Sequence, residues 1–224
     1  MRNDPGYDLR CEGLTVTVPN RRLIEALDMD AAAGEILAIL GPNGVGKSLL
    51  LNTLAGLRGD SNGRIELGGA PLGELSRQRI ARRLALLPQY TEDFFPSTVL
   101  DTVMIGRHPH SARWAWASGH DLEIARAALQ AVDLDELENR DVLTLSGGER
   151  RRLAVAQVLT QDPAIYLLDE PTNHLDPQHQ LDVLRLFRAR ADAGKTVIVS
   201  LHDVNLAARF ADRFRLLFGD CLLY

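Results

Sequence analysis

The chain has 224 residues, of which 46% are apolar and 25% charged, the balance of a globular body that buries roughly 70–75% of its unfolded surface unaided by disulfides or metals. Its longest apolar runs, such as Ile36–Leu40 and Ile165–Leu168, fall far short of the ~20 residues a membrane span requires, and Met1-Arg2-Asn3-Asp4-Pro5 offers no apolar leader core, so an unexported chain is expected. The two cysteines, Cys11 and Cys221, make no disulfide framework, and a net charge of −5 with scattered arginines argues against nucleic acid as a partner.

In chain order, alternating apolar positions at Leu14, Val16 and Val18 predict a half-buried strand, and Glu35–Leu40 predicts a buried one. A helix is expected over Gly46–Leu57, then a glycine-bounded strand at Arg64–Leu67 and a helix at Ser76–Arg83. Leu84–Leu87 is a short strand stopped by Pro88. From Ser97 to Gln161 the pattern is helical almost throughout, most clearly at Asp121–Val132 and Glu149–Gln161. Strand character returns at Ala164–Leu168 and Thr196–Leu201, on either side of an amphipathic helix over Gln178–Ala191, and again at Arg213–Phe218. Strands alternating with helices predict an α/β fold with a mainly parallel sheet. A single domain over residues 1–224 is expected, with a helical subdomain inserted at about residues 91–160.

Directly after the strand at Glu35–Leu40 comes Gly41-Pro42-Asn43-Gly44-Val45-Gly46-Lys47-Ser48, followed by Leu49 as the expected helix opens. This matches the phosphate-loop pattern G-x-x-x-x-G-K-[ST] in the strand-to-helix context the pattern requires. Glycines let backbone N–H groups converge on a phosphate, and the helix N-terminus adds its positive end. Lys47 is placed for the β- and γ-phosphates and the Ser48 hydroxyl for Mg²⁺. Of the 25 basic residues only Lys47 and Lys195 are lysine, and one of the two stands where a compact point charge suits a phosphate better than a planar fork.

Ala164–Leu168 ends in Asp169 and Glu170 and is stopped by Pro171. Acids at the carboxyl end of a parallel strand face the crevice where such sheets bind ligands. Asp169 is expected to hold Mg²⁺ and Glu170 to polarise the attacking water. A second helix start lies at Leu145-Ser146-Gly147-Gly148-Glu149. A capping box accounts for Ser146 and Glu149, but not for two glycines that each cost ~1 kcal/mol in a helix. Bare glycines leave a helix N-terminus open to an anion.

Together these segments resemble those of the ATP-binding cassette (ABC) ATPases, and the resemblance covers almost the whole chain. Gly41–Ser48 looks like the Walker A loop, Ile165–Glu170 like Walker B and Leu145–Glu149 like the cassette signature. Gln89 is similar to the glutamine that in this family touches Mg²⁺ and senses the membrane partner. Asn173-His174-Leu175-Asp176 resembles the D-loop, and His202 matches the histidine that contacts the γ-phosphate. The resemblance implies a P-loop NTPase core with an N-terminal antiparallel β portion, ATP and Mg²⁺ as ligands, and Glu170, His202 and Gln89 as catalytic residues. It also implies pairing of two copies head-to-tail, with Ser146, Gly147 and Gly148 of one copy closing over the ATP of the other. Two transmembrane permease subunits and, through them, a substrate-binding protein would place the chain at the cytoplasmic face of the inner membrane.

Thr98–His110 and Ser200–Ala207 look like the ATPases of iron-siderophore, haem and cobalamin importers. An exporter ATPase is an alternative. So is an ABC ATPase of DNA repair or translation, although the stretch between Ser48 and Leu145 is short for a coiled-coil arm. Tyr90, Phe94, Phe95, Trp114 and Trp116 read either as a face beneath the permease or as core packing. His108, Pro109 and His110 read as surface or interface residues, and Arg150–Arg152 as a solvated helix face. Two departures from the family stand out. Val18 occupies the place of an adenine-stacking aromatic, and the sequence closes at Gly219–Tyr224 where cassettes of this kind usually continue.

Overall fold

The computed structural model describes residues 7–19, 21–59, 61–90, 96–110, 118–218 and 221–223. The chain opens with two long strands, β1 (Tyr7–Val18) and β2 (Arg21–Ala32), paired antiparallel. Only part of β1 is legible as alternation, and β2 not at all, for a local reason. Ala26 sits in left-handed backbone at φ 48°, and the pairing register shifts around it. The buried positions therefore jump from the even-numbered Ile24 to Leu27, Met29 and Ala31, and the bulge breaks the period of two on which a strand is recognised.

β3 (Ile36–Leu40) is buried at every position, and α1 (Lys47–Leu54) follows it. Next come β4 (Ser61–Leu67), β5 (Ala70–Pro71), α2 (Arg77–Arg83, capped by Ser76) and β6 (Leu84–Leu87). The expected run of helix from Ser97 onwards is divided among described helices α3 (Val99–Met104), α4 (Gly119–Gln130) and α5 (Gly147–Gln161). Thr98, Ser118 and Ser146 each accept from a backbone N–H at these starts, so side-chain caps punctuate what periodicity reads as continuous. β7 (Ile165–Asp169), α6 (Pro177–Asp192), β8 (Thr196–Ser200), α7 (Val204–Phe210), β9 (Arg213–Phe218) and β10 (Cys221–Leu223) complete the order.

Two sheets result. One is antiparallel, in the order β2-β1-β4-β5; the other runs β10-β9-β3-β8-β7-β6, parallel except for the edge strand β10. β3, β7 and β8 carry apolar side chains on both faces, as a sheet covered on both sides must. Leu37, Ile39, Ile165, Leu167 and Ile198 pack toward α1 and the antiparallel sheet. Ile36, Ala38, Tyr166, Leu168, Val197 and Val199 pack toward the helices. α3, α4 and α5 lie between the adjacent strands β6 and β7, and α5 packs against both of the others.

The strand order positions the site. β8 lies between β3 and β7, and all three run the same way. The phosphate loop after β3, the acids ending β7 and the residues after β8 therefore emerge at one edge. Tyr90 is exposed, whereas Phe94, Phe95, Trp114 and Trp116 lie outside the described residues, as do Gly219, Asp220 and Tyr224. No helix among the described residues is long and apolar enough to cross a membrane.

Candidate nucleotide site

The loop from Gly41 to Gly46 is packed closely at its two ends and open in its middle. A Cβ on Gly41 would lie 2.4 Å from the Leu217 carbonyl oxygen, and Gly46, at φ 108°, is backed by Leu23. Gly44 is also left-handed at φ 77°. Pro42, Asn43 and Gly44 are exposed, Val45 and Gly46 are buried, and Ser48 and Leu49 are half-buried. No side chain caps α1, whose Gly46 N-cap precedes Lys47, so its first N–H groups are available to an anion. Lys47 is only 5% exposed. Its Nζ donates to the carbonyls of Gly41 (2.7 Å) and Pro42 (3.2 Å) and stands 3.9 Å from Glu170 Oε1. Burial pulls the ammonium pKa down, while Glu170 and Asp169 oppose that shift.

Glu170 is the point on which the other elements converge. Its backbone is left-handed, φ 49°, a conformation costing roughly 1–3 kcal/mol. This interrupts strand alternation, so that consecutive acids both serve the sheet edge. Oε2 accepts from Gln89 Nε2 at 2.7 Å and from Asn173 Nδ2 at 2.6 Å. Oε1 meets Nε2 of the half-exposed His202. The Ser200 hydroxyl accepts from the Glu170 N–H (2.9 Å) and donates to Asp169 Oδ1 (2.7 Å), tying the two acids to β8. Both carboxylates are buried. Gln89 arrives from the end of β6, Asn173 from the turn after Pro171 and His202 from the end of β8. Sequence reasoning gives Ser200 no role in the site; the one signal for it is its position at the end of a strand whose three preceding residues are apolar and which is buried throughout.

The arginine triplet corrects the expectation of a solvated helix face. Arg150 donates to the carbonyls of Leu143 and Leu145, and Arg152 to those of Val132 and Asp133. Arg151 is buried beneath the segments that carry Gln89, Asp169 and Glu170, and burial lowers its pKa to about 10 against the pull of Asp169 and Glu170. Periodicity missed it because three like residues in a row carry no record of which one turns inward.

At the second helix start, Ser146 Oγ accepts from Glu149 N–H (3.2 Å) and Glu149 Oε2 accepts from Ser146 N–H (2.7 Å), completing the capping box. A Cβ at Gly147 would meet nothing within 4 Å, and at Gly148 only ordinary contacts with His174 and Leu175. Among the described residues no hydrogen bond joins Ser146, Gly147 or Gly148 to the phosphate loop. His110 Nε2 donates to the Gln161 carbonyl (2.8 Å), and the Pro109 carbonyl accepts from Gln78 and Arg82. No cluster of three or more His, Cys, Asp or Glu able to hold a metal occurs among the described residues. Asp169, Ser48 and Gln89 supply the oxygen donors that Mg²⁺ takes, an ion that keeps several waters and binds through one or two carboxylates plus substrate phosphates.

The model of the ABC transporter family matches residues 24–173. The chain is 45% identical over 216 residues to the hemin import ATP-binding protein of Nocardia farcinica, covering 93% of this chain and 74% of that one. It is 42% identical over 214 residues to the hemin import ATP-binding protein of Pseudomonas putida, covering 93% and 82%. A solved structure described as a metal-chelate type ABC transporter in an inward-facing conformation superposes with a TM-score of 0.83 at 31% identity, over 97% of this chain and 82% of that one. With a phosphate loop and strand-end acids brought to one sheet edge inside the matched region, the chain belongs to the ABC transporter family and is an ATP-binding ATPase domain of it.

Proposed function

We propose that this chain is the ATP-hydrolysing subunit of an importer for haem or a related iron chelate, iron-siderophores and cobalamin-like cargo being the neighbouring classes. The convergence of Gln89, Asn173, His202 and Lys47 on Glu170 carries the catalytic half of this reading. The relatives named for hemin import support the cargo. Residues 41–49 receive the nucleotide, with Lys47 moving from its loop carbonyls to the β- and γ-phosphates. Glu170 takes the proton of the attacking water. Gln89 and Asn173 fix its Oε2, and His202 passes from Oε1 to the γ-phosphate, which frees Oε1 for the water. Ser48, Asp169 and Gln89 hold Mg²⁺, which when bound neutralises phosphate charge.

The glycines at the start of α5 serve a second copy paired head-to-tail. Open space around Gly147 supports this, since nothing in the chain's own packing requires a glycine there. Two permease subunits, a substrate-binding protein beyond them and the cytoplasmic face of the membrane complete the proposal.

Mixing two inactive variants tests the pairing. Ser146→Arg abolishes hydrolysis but not ATP binding, and Lys47→Ala loses nucleotide. In a head-to-tail mixture, one heterodimer site keeps both a good loop and a good signature, so hydrolysis returns. Recovery at no mixing ratio sinks the pairing. Affinity capture of the chain from membranes is expected to bring down permease subunits in a complex whose ATPase, carried by this chain, rises with haem-loaded binding protein; an unresponsive complex sinks the cargo.

A further inference from the structure

Arg151 lies in the first turns of α5, only a few residues past Ser146–Gly148, and is 4% exposed. A guanidinium has five N–H donors, and here each type of nitrogen is engaged by backbone carbonyls of the catalytic segments. Nη1 donates to Pro88 (2.6 Å) and Gln89 (3.3 Å), Nη2 to Asp169 (2.7 Å) and Glu170 (2.8 Å), and Nε to Pro171 (3.2 Å). Its neighbours behave differently. The hydrogen bonds of Arg150 and Arg152 stay among residues between β6 and β7, whereas those of Arg151 cross to the ends of both strands. The side chains of the two residues it grips by the backbone, Gln89 and Glu170, are hydrogen-bonded to each other. One rigid fork therefore joins three things: the helix that begins at the bare glycines, the glutamine, and the catalytic carboxylate.

We propose that Arg151 is a positioning residue that locks the backbones of Gln89 and Glu170 to the start of α5, so that a nucleotide of the second copy engaging Ser146–Gly148 sets the geometry of this chain's own base. This rests on the head-to-tail reading above. Buried, planar and bonded only to backbone, the fork transmits a displacement of α5 to the carboxylate without a side-chain carboxylate of its own to absorb it. A lysine cannot replace it, because one nitrogen with three donors cannot span carbonyls on both strands.

The test uses the full chain with its permease. Arg151→Gln is expected to lower kcat by about 10²-fold, the scale of a misplaced catalytic group. Its ATP Kd, measured in the absence of turnover, stays within about threefold of native, and the ATP dependence of hydrolysis, which two coupled sites are expected to make sigmoidal in the native protein, becomes hyperbolic. Arg151→Lys recovers no more than about a tenth of native kcat, while Arg152→Gln keeps kcat, Kd and sigmoidicity. The proposal is overturned by a near-native kcat in Arg151→Gln, or by Arg151→Lys restoring kcat and Kd together, which would make the residue a plug of charge and volume. Should Arg151→Gln fail to fold, Arg151→Lys decides: kcat within about threefold of native overturns the proposal. The mixture of Ser146→Arg with Lys47→Ala reports on the pairing alone, so a failure there is distinct from a failure here.

Discussion

The two glycine-bearing helix starts, at Lys47 and at Gly147, look alike in sequence and are opposite in structure. At α1 the glycines are required by the chain's own packing: Gly41 presses on the Leu217 carbonyl, Gly46 on Leu23, and Lys47 is buried behind them. At α5 a capping box already satisfies the first turn, and Gly147 faces open space. A glycine demanded from within builds a pocket. Gly147 is not demanded from within, and it is this freedom that the proposed second copy uses. The starts differ in chemistry too, since the acids, Gln89 and His202 gather only on the α1 side.

That difference can be broken most forcefully at the carboxylate. Glu170→Gln removes the base but leaves the phosphate loop, so turnover is expected to fall ~10²–10⁴-fold with ATP binding retained. Steady-state hydrolysis beside equilibrium binding checks this, and hydrolysis close to native assigns the base elsewhere.

A smaller effect sharpens the contrast by its sign. Gly41→Ala drives a methyl into a carbonyl and is expected to cost ~1–3 kcal/mol of stability. Gly147→Ala meets no atom of the chain and gains helix propensity of up to ~1 kcal/mol, yet it lowers hydrolysis about tenfold by crowding the helix end where donors must be placed. Thermal melts with parallel ATPase assays separate the two. A destabilised Gly147→Ala with native specific activity contradicts the outward reading.

The smallest effect uses the capping box of α4 as a control with no expected ligand. Asp121 bonds Ser118 and pairs with Arg107, which together hold its pKa down to about 2 from the usual 3.8. A depressed folded pKa means stability present above about pH 4 and lost as the pH falls through about 2. Asp121→Asn is expected to lower Tm by a few degrees at neutral pH, for a cap worth ~1 kcal/mol. The gap narrows toward pH 2 and hydrolysis per folded molecule is unchanged. A gap that widens in acid contradicts the assigned cause.

Local chemistry was legible in the sequence and long-range placement was not. Gly41–Ser48, the acidic end of Ile165–Asp169 and the capping box at Ser146 are contiguous, and each demands particular residues at fixed spacing. β2 escaped because the bulge at Ala26 shifts its alternation, and the helical run after Ser97 looked continuous because caps interrupt it without disturbing its apolar period.

By itself the sequence determined that a phosphate loop follows a buried strand, that two acids end another, and that a second helix begins with bare glycines, because those signals depend only on near neighbours. Tertiary structure alone decided that β8 lies between β3 and β7, that Ser200 ties the two acids, and that Arg151 rather than Arg150 or Arg152 turns inward to Gln89 and Glu170. Those outcomes depend on which strands become neighbours and which side of α5 meets the sheet edge. They are set by burial of the whole core, which no single stretch of chain records.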